Sequence, residues 1–278
     1  MSEPLLTTAR RAFYDLLVDN KCLITANGIA SIADKDSDPS CAIAAELFKN
    51  LDISAVGSRL PGQRAGALFE QACAEFLMQT FLNLGNIRPG NWKVLRKATI
   101  TQFYQYEHLS TLAELASDNL ELASAMVSDY LVKPDVVVAR YPVSDEQLHF
   151  AVDKFIGRSS PLRASNSGKP LLHASVSCKW TIRSDRSQNT RSEALSLVRN
   201  RKGPLPHIVA ITAEPLPQRI ASIALGTGDM DCVYHMALPE LEQAVNAVGN
   251  NGAQKSLATM MSGKLLRDIA DLPLDLCI

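Results

Sequence analysis

The stretch His173-Ala-Ser-Val-Ser-Cys-Lys-Trp-Thr-Ile-Arg-Ser-Asp-Arg186 changes character half-way along. With Leu172 in front, its first part alternates. Leu172, Ala174, Val176, Cys178 and Trp180 fall on one face, and His173, Ser175, Ser177, Lys179 and Thr181 on the other. That period of two predicts a strand over Leu172–Thr181, buried on its apolar side. The strand delivers Lys179 to its end, and the polar block Arg183-Ser-Asp-Arg186 follows at once as a loop. About forty residues upstream, Pro134-Asp135 opens the β-branched run Asp135–Ala139, which reads as a second buried strand.

Working outward, helices are expected at 7–18, at Cys41–Leu51 behind the polar loop Ala33–Ser40, and at Gln63–Leu84 after the Pro61-Gly62 turn. In the last of these, Leu68, Ala72 and Phe76 form one apolar row and Phe69, Cys73, Leu77 and Phe81 its neighbour. Glu70 lies off both rows between Gly66 and Ala74, small neighbours that would admit another backbone closely. Trp92–Ile100 reads as a strand, Gln105–Ala116 and Leu120–Leu131 as helices, and 141–170 as loop-rich. Beyond the polar loop at 183–190 come a helix at about 191–201, a strand at His207–Ala213 and a short helix from Gln218. A strand near Asp231–His235 and helices at Pro239–Val248 and Leu265–Asp271 complete the chain. Strands separated by helices imply an α/β fold, a central mixed β-sheet flanked by α-helices. No repeat or low-complexity linker divides residues 1–278, so one domain is expected.

A net charge of −1 gives no global argument for a polyanionic partner. The charge is local instead. Lys179, Arg183, Arg186, Arg191, Arg199, Arg201 and Lys202 face only Asp185 and Glu193, and this patch surrounds the opening stretch. The six scattered cysteines show no CxxC pair or metal-ligand spacing, and no signal core or membrane-length apolar run is seen. A cytoplasmic protein with no membrane partner is the expectation.

Phosphodiester hydrolysis needs an activated water, neutralisation of developing phosphate charge and help for the leaving oxygen. Mg²⁺ held by few carboxylates supplies much of this. Asp135 is a suitable anchor. Lys179 would orient or deprotonate the water, or counter phosphate charge. Cys178 points away from the face shared by Ser177 and Lys179, so only its backbone carbonyl is offered to a metal. The pattern Pro134-Asp135 … Ser177-Cys178-Lys179 resembles the PD-(D/E)xK nuclease signature with one departure: Ser177 stands where an acidic residue is usual. The missing carboxylate is assigned to Glu193, fourteen residues after Lys179. Arg183, Asp185 and Arg186 suit G·C pairs, because arginine donates twice to guanine and aspartate accepts from cytosine.

The chain resembles the NgoMIV family of type II restriction endonucleases, nucleases that recognise a CCGG core. The likeness is carried by Ser58-Arg-Leu-Pro-Gly-Gln63, the 177–186 block, Glu193 and Arg199-Asn-Arg-Lys-Gly203, and continues through Pro206-His-Ile-Val209 and Thr212-Ala-Glu-Pro215. Ile223-Ala-Leu-Gly-Thr-Gly228 and Asp271-Leu-Pro-Leu-Asp-Leu276 extend it. The resemblance implies that Asp135, the Cys178 carbonyl and Glu193 organise Mg²⁺, with Ser177, Lys179 and Glu70 completing the active site. It implies that Arg183, Asp185 and Arg186 read CCGG in double-stranded DNA, Gln63 approaches the minor groove, and Arg219 contacts the outer pair. The expected site is GCCGGC, cut after the first G. A homodimer or a homotetramer of two back-to-back dimers is expected.

Two other classes fit parts of the pattern. Ser177 with Lys179 as base would make a serine hydrolase, although no glycine-rich nucleophile turn surrounds Ser177. A catalytically inert or repair-type DNA-binding protein on the same fold would leave Asp135, Lys179 and Glu193 without a task. His173 reads as a structural hydrogen-bonding residue, and Trp92 and Trp180 as packing.

Overall fold

A computed structural model of the chain describes residues 3–117, 132–148, 157–226 and 228–278, with the side chains of 116, 117 and 184–187 outside the description. The helix expected at Leu120–Leu131 falls outside these residues. A six-stranded sheet forms the centre, in the spatial order β3-β4-β5-β6-β7-β8. These are Asn91–Arg96, Val136–Tyr141, Leu171–Lys179, His207–Thr212, Cys232–His235 and Leu266–Asp268. The first three pair antiparallel and the remainder parallel, so the sheet is mixed as the alternation of strands and helices implied.

Apolar side chains on the two faces build two core layers. Val136, Val138, Ala174, Val176, Cys178 and Trp180 meet α1 (Leu5–Asp19) and α3 (Gly62–Gln79) on one side. Val137, Ala139, Leu172 and Ile208 meet Ala194 and Leu197 of α5 (Ser184–Asn200) on the other. Leu172 thus leaves the row predicted for it. The β4–β5 register jumps from Val138↔Ala174 to Ala139↔Leu172, so His173 is the extra residue of a β-bulge and the alternation inverts there. His173 consequently lies among rings, stacked on Phe81 and 4.8 Å from Trp92, with Nε2 bonded to the Leu276 carbonyl at 2.8 Å. Burial lowers its pKa to about 4, which makes it a neutral structural residue.

Four other expectations need correction. Helix α5 starts at Ser184, so Asp185 and Arg186 belong to its first turn rather than to a loop, and Glu193 lies well inside it. Within Leu265–Asp271, Leu266–Asp268 is strand β8 rather than helix, because parallel pairing with β7 outweighs a helical apolar spacing. Asp268 there accepts from the Leu238 amide at 2.9 Å and from Arg10 of α1. A helix over Asn251–Ser262 and a hairpin of β1 (Thr25–Ala26) and β2 (Ile29–Ala30) were missed. The hairpin turns through Asn27-Gly28, both with positive φ, as a two-residue turn requires. Finally, a Cβ added at Gly66 would meet nothing within 4 Å, so no backbone approaches beside Glu70 there.

Phe69 of α3 joins the helical layer to the strand that carries Lys179, edge-on to Trp180 at 5.4 Å and to Phe13 at 6.1 Å. It is fully buried. Phe69→Ala should cost about 3–5 kcal/mol of unfolding free energy, measured by urea denaturation. A change below 1 kcal/mol would mean this layer tolerates the lost ring.

Candidate active site and DNA-facing cleft

The antiparallel register sets Val136 opposite Val176, which brings Asp135, one residue before β4, level with the end of β5. Its Oδ2 accepts from the Cys178 amide at 2.8 Å and lies 3.4 Å from Lys179 Nζ. Glu193, exposed on α5, approaches the same place, close enough to feel the Lys179 and Asp135 charges. Burial of its carboxyl raises its pKa, Lys179 opposes that rise, and Asp135 adds to it. Glu70 comes from α3. Its Oε2 lies 3.6 Å from Lys97 Nζ and 3.9 Å from Arg96 Nη2, yet has no hydrogen-bond partner. Burial first, then the Asp135 charge, raises Glu70 against the pull of Lys97 and Arg96. Five of the predicted site residues, Asp135, Ser177, Lys179, Glu193 and Glu70, therefore surround the end of β5.

Ser177 Oγ is buried and makes no hydrogen bond. A serine nucleophile needs contact with its base, and here the lysine is committed to Asp135. The Cys178 thiol points into the opposite core layer, where burial and the neighbouring Cys73 raise its pKa. Only the main chain of Cys178 faces the site.

Around the corner of β5 opens a cleft of about 580 Å³. Gln63 in the first turn of α3, Arg183 immediately before α5, and Arg219 of α6 (Pro217–Ala224) all line it. Arg219 pairs with Asp34, whose carboxyl is held below its ordinary range chiefly by that hydrogen bond. Gln63 and Arg183 are exposed. Asp185 and Arg186 follow Arg183 on the first turn of α5, at the same end of that helix.

A family model described as NgoMIV restriction enzyme matches residues 13–278. A relative from Neisseria gonorrhoeae, the type II restriction enzyme NgoMIV, is 49% identical over 284 residues, covering 99% of each chain. This chain belongs to the NgoMIV restriction enzyme family. It is accordingly a type II restriction endonuclease, a site-specific deoxyribonuclease. Among solved structures, the restriction endonuclease PspGI in complex with substrate DNA is similar at 12% identity and a TM-score of 0.38, covering 98% of this chain and 92% of that one. The type IIF restriction endonuclease Bse634I with cognate DNA shows 14% identity and a TM-score of 0.34, covering 80% and 79%. No helix among the described residues is long and apolar enough to cross a membrane.

Several residues of the endonuclease escaped sequence reasoning. Arg59 donates to the Ser31 and Ala33 carbonyls, both at 2.7 Å, and so supports the loop that presents Asp34. Arg96 and Lys97 face Glu70 from the end of β3. Glu214 is buried behind the cleft. For Arg59 the signal was present, since it lies inside Ser58-Arg-Leu-Pro-Gly-Gln63. Glu214 likewise lies inside Thr212-Ala-Glu-Pro215, whereas the contacts of Arg96 and Lys97 with Glu70 are long-range and leave no local pattern.

The raised carboxyl of Glu193 makes a testable stability statement. A folded-state pKa above the unfolded value favours the protonated form, so ionisation weakens the fold as pH rises through the folded pKa. Glu193→Gln removes that penalty. The variant should be more stable than wild type at pH 8 in metal-free buffer, with the gain shrinking as pH falls toward about 4, the ordinary glutamate range. Thermal melts across pH check this; a variant less stable at pH 8 would show that the Lys179 attraction outweighs burial.

Proposed function

We propose that this endonuclease makes Mg²⁺-dependent double-strand cuts in DNA at a palindromic CCGG-core site, GCCGGC cut after the first G. The observation that carries the reading is the Asp135–Lys179 pair at 3.4 Å, one residue from the cleft lined by Trp180, Thr181 and Arg183. Scission chemistry and base-reading side chains thus share one strand end.

Among the described residues, no three His, Cys, Asp or Glu side chains converge tightly enough to hold a metal unaided. That fits magnesium, which takes one or two protein carboxylates and completes its shell with water and phosphate oxygens. The available donors are all hard oxygens: Asp135, the Cys178 carbonyl and Glu193. Ser177 Oγ, and Glu70 Oε2 beyond its ion pairs with Lys97 and Arg96, supply polar atoms suited to ordered water. When bound, the ion would lower the pKa of a water and offset phosphate charge. Lys179 orients the attacking water or counters the phosphate, with Asp135 holding its ammonium in place. Glu193, pushed toward its neutral form by burial, becomes a better ligand once a cation offsets that cost.

Arg183, Asp185 and Arg186 are assigned to the G·C pairs of the core in the major groove. Gln63 is assigned to the minor groove, and Arg219 with Asp34 to the outer pair. A palindrome demands two-fold protein symmetry, so the working enzyme is a homodimer or a tetramer of two dimers. The proposed setting is a single endonuclease domain acting in the cytoplasm.

Lys179→Ala should lower single-turnover cleavage by at least about 100-fold, the range for a lost proton-transfer or charge-stabilising group, and leave cognate binding in Ca²⁺ nearly unchanged. Cutting at the wild-type rate would remove Lys179 from the active site. Arg183→Ala should weaken binding to a CCGG duplex by about 1–3 kcal/mol and to random duplex far less. Equal losses on both would make Arg183 a phosphate contact. Sequencing the ends of digested plasmid tests the site and cut position together.

A further inference from the structure

Glu214 is completely buried, yet among the described residues no Lys or Arg side chain bonds to it. A carboxylate in that position needs strong local donors, and those it has are informative. Its Oε2 accepts from the Ile182 amide at 2.8 Å, and its Oε1 from the Leu216 amide at 3.2 Å. Ile182 immediately precedes Arg183. Leu216 is the N-cap of α6, which carries Arg219. One carboxylate therefore grips the main chain at the root of both candidate DNA-reading segments.

The same turn reaches the catalytic strand. The Glu214 amide donates to Thr212 Oγ1 at 3.1 Å, and that hydroxyl donates to the Lys179 carbonyl at 2.8 Å. The Ala213 amide donates to the same carbonyl at 3.3 Å. A path of hydrogen bonds runs from the Lys179 carbonyl through Thr212 and Glu214 to the Ile182 amide, one residue before Arg183, and to the Leu216 amide, three residues before Arg219. Arg219 and Asp34 also act on Glu214 electrostatically, and burial raises its pKa to about 7.

We propose that Glu214 is a positioning residue that holds the Arg183 and Arg219 segments in one fixed relation to each other and to Lys179. The inference rests on the reading of those arginines as base contacts. Bidentate arginine contacts tolerate little displacement, so loosening either root should reduce discrimination while leaving phosphate-driven binding in place.

The test is Glu214→Gln in the full-length enzyme, which keeps the volume but turns one acceptor into a donor facing an N–H. Affinity for a GCCGGC duplex in Ca²⁺ should fall about tenfold or more, one hydrogen bond to a charged group, while affinity for random duplex holds. Leu257→Ala, a buried change in the helix Asn251–Ser262, is the control for plain destabilisation and should lower both equally. Equal losses in Glu214→Gln, or none, overturn the proposal. Where Glu214→Gln does not fold, Thr212→Val decides, because it cuts the path to Lys179. It should lower single-turnover cleavage of bound cognate DNA by about tenfold, and a wild-type rate there overturns the proposal. A wild-type enzyme that fails to cut CCGG plasmid with Mg²⁺ overturns the functional reading, and this inference with it. Normal wild-type cutting beside an unaffected Glu214→Gln sinks the inference alone.

Discussion

Asp135 accepts the Cys178 amide at 2.8 Å and faces the Lys179 ammonium at 3.4 Å, and these two contacts fix where everything else in the site can be. They lock the entry of β4 to the exit of β5, two strands that run antiparallel and so bring one beginning beside one end. Neither partner is deeply buried. The pair therefore avoids the full desolvation cost of an interior ion pair and still restricts both side chains. A lysine free of Asp135 would have long rotamer freedom and no defined position relative to an incoming phosphate. The carboxylate thus orders the cation before any substrate arrives, and offers its remaining lone pairs to a metal.

Burial of three further carboxyls divides the labour. Glu193 and Glu70 sit close to Lys179, Lys97 and Arg96, where raised pKa values leave them ready to gain from a divalent ion. Glu214 lies away from these cations and spends its acceptors on two main-chain amides. Burial is the leading cause of all three shifts, yet the consequences differ with the donors present. Two of these carboxyls face side-chain cations, and the third faces main-chain amides.

Strand β5 was legible because it carries the period of two from Ala174 up to Lys179, and Asp135 because a β-branched run follows it. The bulge at His173 was not legible. Nothing in the local residues marks an extra one, and only the register against β4 inverts Leu172. Leu265–Asp271 failed for a related reason: its leucines and isoleucine fit a helical spacing, but the free edge of β7 and the Arg10–Asp268 bond select a strand. Two misses were avoidable. Asn27-Gly28 is a strong hairpin signal, and Ala253, Leu257 and Met260 recur at helical spacing and are buried together. Glu214 stood inside the quoted Thr212-Ala-Glu-Pro215, but its contacts were beyond reach, since one of the two amides it accepts from lies 32 residues before it.

The start of α5 at Ser184 alters how recognition must work. In a free loop, Arg183, Asp185 and Arg186 would pay ordering entropy on each encounter with DNA. On a helical first turn, Asp185 and Arg186 have a fixed backbone, and Arg183 lies immediately before it in extended conformation. The helix then continues to Glu193, so a single element carries the proposed base readers at one end and a candidate metal ligand further along. A displacement of the readers by a mismatched base would move that ligand as well. On the proposed reading, one helix would couple specificity to rate, because the candidate readers and Glu193 share its backbone.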